Sequence, residues 1–409
     1  MSKRVPLRHL PFFERLADAS EGSSAWRAIS AGLVVLRLVD AWIEEGPEVV
    51  RGGWSARAAR DAVDAMDPGV PSRAILGGII DAMVEARVVD PHLVTPRLLA
   101  YGQALALDAS YDLAADVFES LVTHARPLEE HDLVVDAYIQ LGAARRTRGE
   151  LDAAEAAYAC AGEVAEEADY DLGLLRVRLA DARLAVDRGN LPAAERLLDR
   201  TIADASDRGY RELASLARHQ RSAVAFHRGD YARAIRDAYD ALSGLEGANA
   251  RDRALADLAA AFAELGCRSV ARDAHLILAA TAQEQHVRWT ATINLMEIAA
   301  LDGREPVFEQ YRRELSAAPL PPMLQAWAQL YSGTGLLGFG RIERARRAIA
   351  SAVEIAERHG LNQVVFQAEE ALAGVDKASA AMPAREEAPP AAVMDVVEQL
   401  RTMREMAGV

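Results

Sequence analysis

The feature that most constrains this chain is a fixed step. Tyr111, Leu151, Leu191 and Tyr231 stand 40 residues apart, and each is followed three residues later by an alanine, at Ala114, Ala154, Ala194 and Ala234. Gly149, Gly189 and Gly229 keep the same step, two residues ahead of the marked Leu or Tyr. Beyond Gly229 the step shortens to 37, through Gly266, Gly303 and Gly340, while upstream the equivalent of the turn glycine is Ala109. A period of this length means one supersecondary unit stacked many times, since a single unit cannot bury its own apolar face. Seven units fit between Thr95 and Gly374. A core that grows in one dimension frees the 409 residues from dividing into two or three globular domains.

Each unit reads as two amphipathic helices around a turn, with apolar residues three and four apart. Residues 135–167 show it best. The first helix ends at Gly149, which supplies the left-handed C-cap that other residues resist. The second begins at Leu151 and buries Ala154, Tyr158 and Ala161 on one stripe. In this register Gly142 on the first helix faces Ala154 on the second, and Gly333 and Ala345 hold the same two positions in the last unit. Small residues there predict that the helices cross closely.

Leu141-Gly142, Gly149, Leu151, Ala154 and Tyr158, with a partial recurrence at Gly102, Tyr111, Ala114 and Phe118, resemble the signature of the tetratricopeptide repeat. That signature pairs Leu-Gly on a first helix with Ala and an aromatic on a second. Units of 37 to 40 residues are similar to the longer-helix variety found in bacterial regulators. The resemblance implies an all-α fold, an α-α superhelical solenoid of about seven such helix pairs. It also implies that the first helices line a concave side where a peptide or protein partner binds. Phe308 departs from the pattern by replacing the small second-helix residue of the sixth unit, and Cys267-Arg268 follow Gly266.

The flanks lack the period. Residues 1–94 read as a helical cap or interaction region, with helices over 25–45, 55–66 and 72–86 and a turn at Asp67-Pro68-Gly69. A degenerate helix-turn-helix is the alternative, but 11 Lys or Arg against 13 Asp or Glu leave a net of −2, without the basic footprint of a DNA reader. After the repeats (95–374), the Ala/Pro/Glu-rich segment 375–392 reads as a flexible linker. It leads to an amphipathic helix over 393–409, whose stripe is Val393, Val396, Val397, Leu400 and Met403. That helix either folds back onto the array or seats in a partner or a second copy, which would make a homo-oligomer.

A net charge of −15 argues against phosphate backbones and anionic lipid, and favours a cationic partner. Cys160 and Cys267 have no metal-ligand spacing and read as packing residues in a reducing cytoplasm. No secretory h-region follows the N-terminal basic residues, and the apolar stretch 29–43 is broken by Arg37 and Asp40. Gly333-Thr334-Gly335-Leu336-Leu337-Gly338 is a literal GxGxxG, yet it lies on a helical pattern in repeat register and lacks the strand a dinucleotide site needs. His124 and His131 flank a turn without a third ligand, and His275 and His286 are eleven apart; all read as packed or solvated. No nucleophile, base and oxyanion donor assemble, so the expectation is a non-enzymatic protein without cofactor or metal.

Carrying the register of Gly142 and Gly149 through the units selects an inner stripe on the first helices. It runs through Gln140, Ala143 and Arg146, then Arg176, Arg183 and Asp187, then His219, Gln220, Phe226 and His227. Arg253 and Asp257, Asn294 and Glu297, and Trp327 and Tyr331 complete it. Arg176, Arg183, His219, Gln220, Arg253, Asn294, Trp327 and Tyr331 are the expected contacts. The arginines would fork onto carboxylates and the aromatics would anchor apolar side chains. A share of these side chains is expected to pair along the groove instead.

Overall fold

The turn glycines do what their spacing asks. In the computed structural model, which describes residues 8–51, 54–375 and 386–409, Gly149, Gly189, Gly229, Gly266, Gly303 and Gly340 all have φ between 68° and 81°. Ala109, their counterpart in the first unit, is held at φ 57° although it carries a side chain. At Gly149 the amide donates to the Arg146 carbonyl at 2.9 Å and the Glu150 amide to the Arg145 carbonyl at 3.0 Å, closing the helix before it.

Seven helix pairs follow in order. They are α6 (Thr95–Leu107) with α7 (Tyr111–Ala125), α8 (His131–Thr147) with α9 (Leu151–Glu167), and α10 (Asp171–Asp187) with α11 (Leu191–Asp207). Next come α12 (Arg211–His227) with α13 (Tyr231–Leu242), and α14 (Ala248–Glu264) with α15 (Arg268–Thr281). The last are α16 (Gln285–Leu301) with α17 (Glu305–Ala317), and α18 (Pro322–Gly338) with α19 (Ile342–Arg358). A further first helix, α20 (Asn362–Val375), closes the series. Before the pairs lie α1 (Leu10–Asp18), α2 (Ser24–Glu45), α3 (Glu48–Arg51), α4 (Trp54–Asp64) and α5 (Pro71–Glu85). Of these, α2, α4 and α5 match the three expected helices; α1 and α3 were not foreseen. No described residue is in a strand. The change of step falls in the second helices. They have 17 residues in α9 and α11 but 12, 14 and 13 in α13, α15 and α17, whereas the first helices from α8 to α18 keep 17.

By contacts the chain falls into two compact units, Met1–Leu197 and Leu198–Val409. In the first, one apolar core runs from Phe12, Leu36, Trp42 and Ile79 into Leu98, Tyr101, Val117 and Leu121, so α1, α2 and α5 share a core with α6 and α7. Close approach is set by glycine. A Cβ on Gly32 would strike the Tyr101 hydroxyl and one on Gly102 the Phe118 ring. Against Gly142 the nearest group is the Tyr158 ring, one helical turn beyond Ala154. Gly333 lies against Ile349, with the Ala345 carbonyl at 3.2 Å from its would-be Cβ. Gly335 lies against Phe308, so the oversized residue of the sixth unit is received by a glycine of the seventh. The GxGxxG glycines thus all lie on α18, Gly333 and Gly335 at its crossings.

In the second unit α21 (Met394–Met406) seats on α13 and α15. Val393, Val396, Val397 and Leu400 are buried in one cluster with Ala234, Ala238, Val270 and Ala274. Arg404 adds an ion pair to Asp273 at 2.8 Å. Of the expected linker, 376–385 lies outside the described residues, as do 1–7. From Glu386 the chain is bonded to α15: the Ser269 amide donates to Glu386 Oε1 at 2.7 Å, and the Glu387 amide to the Gly266 carbonyl at 3.2 Å. The stripe of α21 is therefore buried within the chain. Among the described residues no helix is long and apolar enough to cross a membrane.

Candidate functional site

The exposed face of the first helices is a product of repeat register, since side chains one repeat apart stand beside each other on neighbouring first helices. In the first unit that face is laced by ion pairs. Arg176 of α10 pairs with Asp136 of α8, and Arg146 of α8 with Asp187 of α10. Of the Arg176 fork, one arm, Nη1, is engaged by Asp136 Oδ1. Arg183 is exposed on α10, and its charge reaches the Tyr158 hydroxyl. Half-exposed pairs of this kind each contribute about 0–1 kcal/mol, so they order the face more than they stabilise it.

The second unit is less occupied. His219 of α12 is bonded through Nε2 to Asp257 of α14 at 2.7 Å. Gln220 is half-buried, and its Oε1 has no hydrogen-bond partner. Arg253 is exposed on α14 and reaches its own helix at the Asn249 carbonyl, 3.3 Å away. Asn294 is half-buried on α16. On α18, Trp327 and Tyr331 are half-buried and stacked, with ring centroids 5.5 Å apart and planes 21° from parallel. Burial and the nearby Glu297 carboxylate push the Tyr331 hydroxyl up to about 12. Burial raises the Glu297 carboxyl to about 7, with neither hydrogen bond nor neighbouring cation to pull it back. The eight expected residues are thus split, Arg176 and Arg183 lying in the first unit and the other six in the second.

Sequence reasoning missed a second assembly, at the cap. A cleft of about 600 Å³ opens beside α1, lined also by α7, α8 and the start of α9. At its base His9, buried and in the left-handed conformation (φ 59°), bridges Asp116 from Nδ1 at 2.6 Å and Asp40 from Nε2 at 3.1 Å. His124 Nε2 takes the other Asp40 oxygen at 2.8 Å, and Arg8 approaches Asp40 at 3.3 Å. Burial opposes a charge on His9, but the bonds to Asp116 and Asp40 win and raise it to about 9. Burial likewise opposes charge on Asp40, and the His124 and His9 hydrogen bonds hold it well below the usual carboxylate range. These polar atoms face one another, so their chemistry fastens α1 to α2 and α7. His124, legible as a packed histidine, is one; its partner lies 84 residues away. Among the described residues no group of three or more His, Cys, Asp or Glu is arranged to hold a metal ion.

No protein-family model matches the chain. No curated protein matches it either. Among solved structures it is similar to a signal-transduction ATPase with numerous domains and a tetratricopeptide repeat sensor, from Pyrococcus horikoshii. The TM-score there is 0.51 at 12% identity, over 87% of this chain and 56% of that one. It is also similar to the apo form of the quorum sensor NprR from B. thuringiensis, with TM-score 0.48, 12% identity, and coverage of 68% and 81%. A tetratricopeptide repeat protein from Parabacteroides merdae gives 0.44, 14% identity, and 67% and 98%. The fold is of the tetratricopeptide-repeat type.

Proposed function

We propose that this tetratricopeptide-type chain is a non-enzymatic interaction scaffold that takes a peptide or partner helix on the exposed face of its first helices. His219, Gln220, Arg253, Asn294, Trp327 and Tyr331 are its contacts in the second unit; Arg176 and Arg183 mark the corresponding face of the first, taken by itself. The observation that carries this reading is the contrast between the two units. Ion pairs within the chain lace the face in the first, whereas the second presents a stacked aromatic pair and a carboxylate without a counter-charge. Rigid helices hold these groups, so little ordering entropy opposes binding, and modest contacts over several repeats add up. A cytoplasmic setting fits this reading. Neither alternative gains support: the stripe of α21 is covered within the chain, and the cap uses its apolar surface on α6 and α7.

A photo-cross-linking residue placed at Asn294, with a control at Arg236 on the exposed side of α13, tests the location in native extract. Protein or peptide adducts are expected from position 294 and not from 236. Adducts confined to 236 would move the binding face to the second helices.

A further inference from the structure

Every other carboxylate of the stripe has a basic partner on the neighbouring first helix. Asp187 has Arg146, and Asp257 has His219 at 2.7 Å; Asp136, beside the stripe, has Arg176. Glu297 has none. Burial alone opposes its charge, and that charge is felt by the Tyr331 hydroxyl, itself an acid. A carboxylate left this way costs free energy unless a cation arrives or a proton is taken up.

We propose that Glu297, with the stacked pair of Trp327 and Tyr331, forms a subsite for one cationic side chain of the partner, a guanidinium or an ammonium. The inference rests on the scaffold reading above and adds the chemistry of one contact. Three observations converge on it. The carboxylate lacks an internal counter-ion. The aromatic pair, on α18, which packs against the α16 helix of Glu297, is half-exposed and held flat, and indole and phenol faces attract cations through their quadrupoles. The whole chain carries a net charge of −15, which draws cations toward it and repels anionic competitors. A neutral amide in place of the cation would lose both attractions, while its size and shape would still fit. Arginine suits the site better than lysine, because its plane stacks on a ring while its edge reaches a carboxylate.

The test uses the full chain and small probes. N-acetyl-arginine amide is titrated at pH 8, where Glu297 is ionised, against its neutral isostere N-acetyl-citrulline amide, and tryptophan fluorescence is followed. A saturable change is expected with the arginine probe and none over the same range with citrulline. Trp327→Phe should remove most of the signal change. Glu297→Gln, which keeps the shape and removes the charge, should weaken the arginine probe by roughly tenfold or more. Its thermal midpoint should not fall, since an uncompensated charge has been removed. Equal binding of the two probes, unchanged affinity in Glu297→Gln, or no saturable response to arginine would each overturn the proposal. Cross-linking from position 294 with no response to arginine would sink the cation subsite alone. A response to arginine without such cross-links would sink the scaffold reading instead.

Discussion

His9 holds two carboxylates at once, and this makes the start of the described chain sensitive to base. Its pKa is raised from 6.5 to about 9, so the stabilisation is fully present below pH 6.5 and is lost as pH rises through 9. Asp40 carries the opposite sign. Its pKa is depressed, so its share is present above the ordinary carboxylate range and fades only in strong acid. The two shifts describe one contact and are not to be added. With His9 only 5% exposed, the contact contributes on the order of 2 kcal/mol. Hydrogen exchange along α1 should therefore quicken between pH 7 and 10, beyond the intrinsic rate, and His9→Gln should abolish that extra pH dependence. An identical pH response in both proteins would remove the imidazolium from the account. None of this was legible beforehand, because it joins residues 31, 84 and 107 positions apart. Periodicity reports on neighbours along a helix and is blind to such meetings.

Among the elements, glycine and aromatic side chains act as matched pairs. Gly142 against Tyr158 and Gly335 against Phe308 each join a first helix to a second with no room for another carbon. Gly142→Ala and Gly335→Ala should each cost about 1–3 kcal/mol through overpacking. In a Phe308→Ala background the Gly335→Ala cost should shrink, and a double-mutant cycle by chemical denaturation reads the coupling. Additive costs would show that the two residues do not share one space. The sequence period announced the helices, the turns and Ala109's odd role. It marked Gly142 as a close crossing but did not name the Tyr158 ring as what fills it, because register along a helix does not give the angle at which its neighbour crosses. Phe308 looked like a flaw for the same reason. Its compensating glycine sits in the next repeat, where no pattern within the sixth unit could reveal it.

At the scale of the whole molecule, the segment 386–409 acts as part of the second unit's core. A chain ending at Ala378 should uncover Val270 and Ala274, bind more of a hydrophobic dye and melt at a lower temperature. Peptide 386–409 added in trans should reverse both changes. Arg404→Glu should give a milder version by breaking the pair with Asp273. If the truncated chain melts as the full one does, the docking of α21 contributes nothing. The stripe of α21 was legible as apolar, but a stripe is the same whether its seat is on its own chain or another.

Glu386 supplies what Cys267, at the N-cap of α15, cannot: a carboxylate for the Ser269 amide, 117 residues away along the chain. That bond ties the middle of the polypeptide to a moment in its manufacture. A ribosome adding about 5–20 residues per second leaves α15 without its acceptor for roughly 10 s after the helix emerges. Until then the α13–α15 surface stands bare, with Val270 and Ala274 exposed to any passing apolar segment. The nascent chain thus has a scheduled window of vulnerability, and a later stretch of the same chain shuts it.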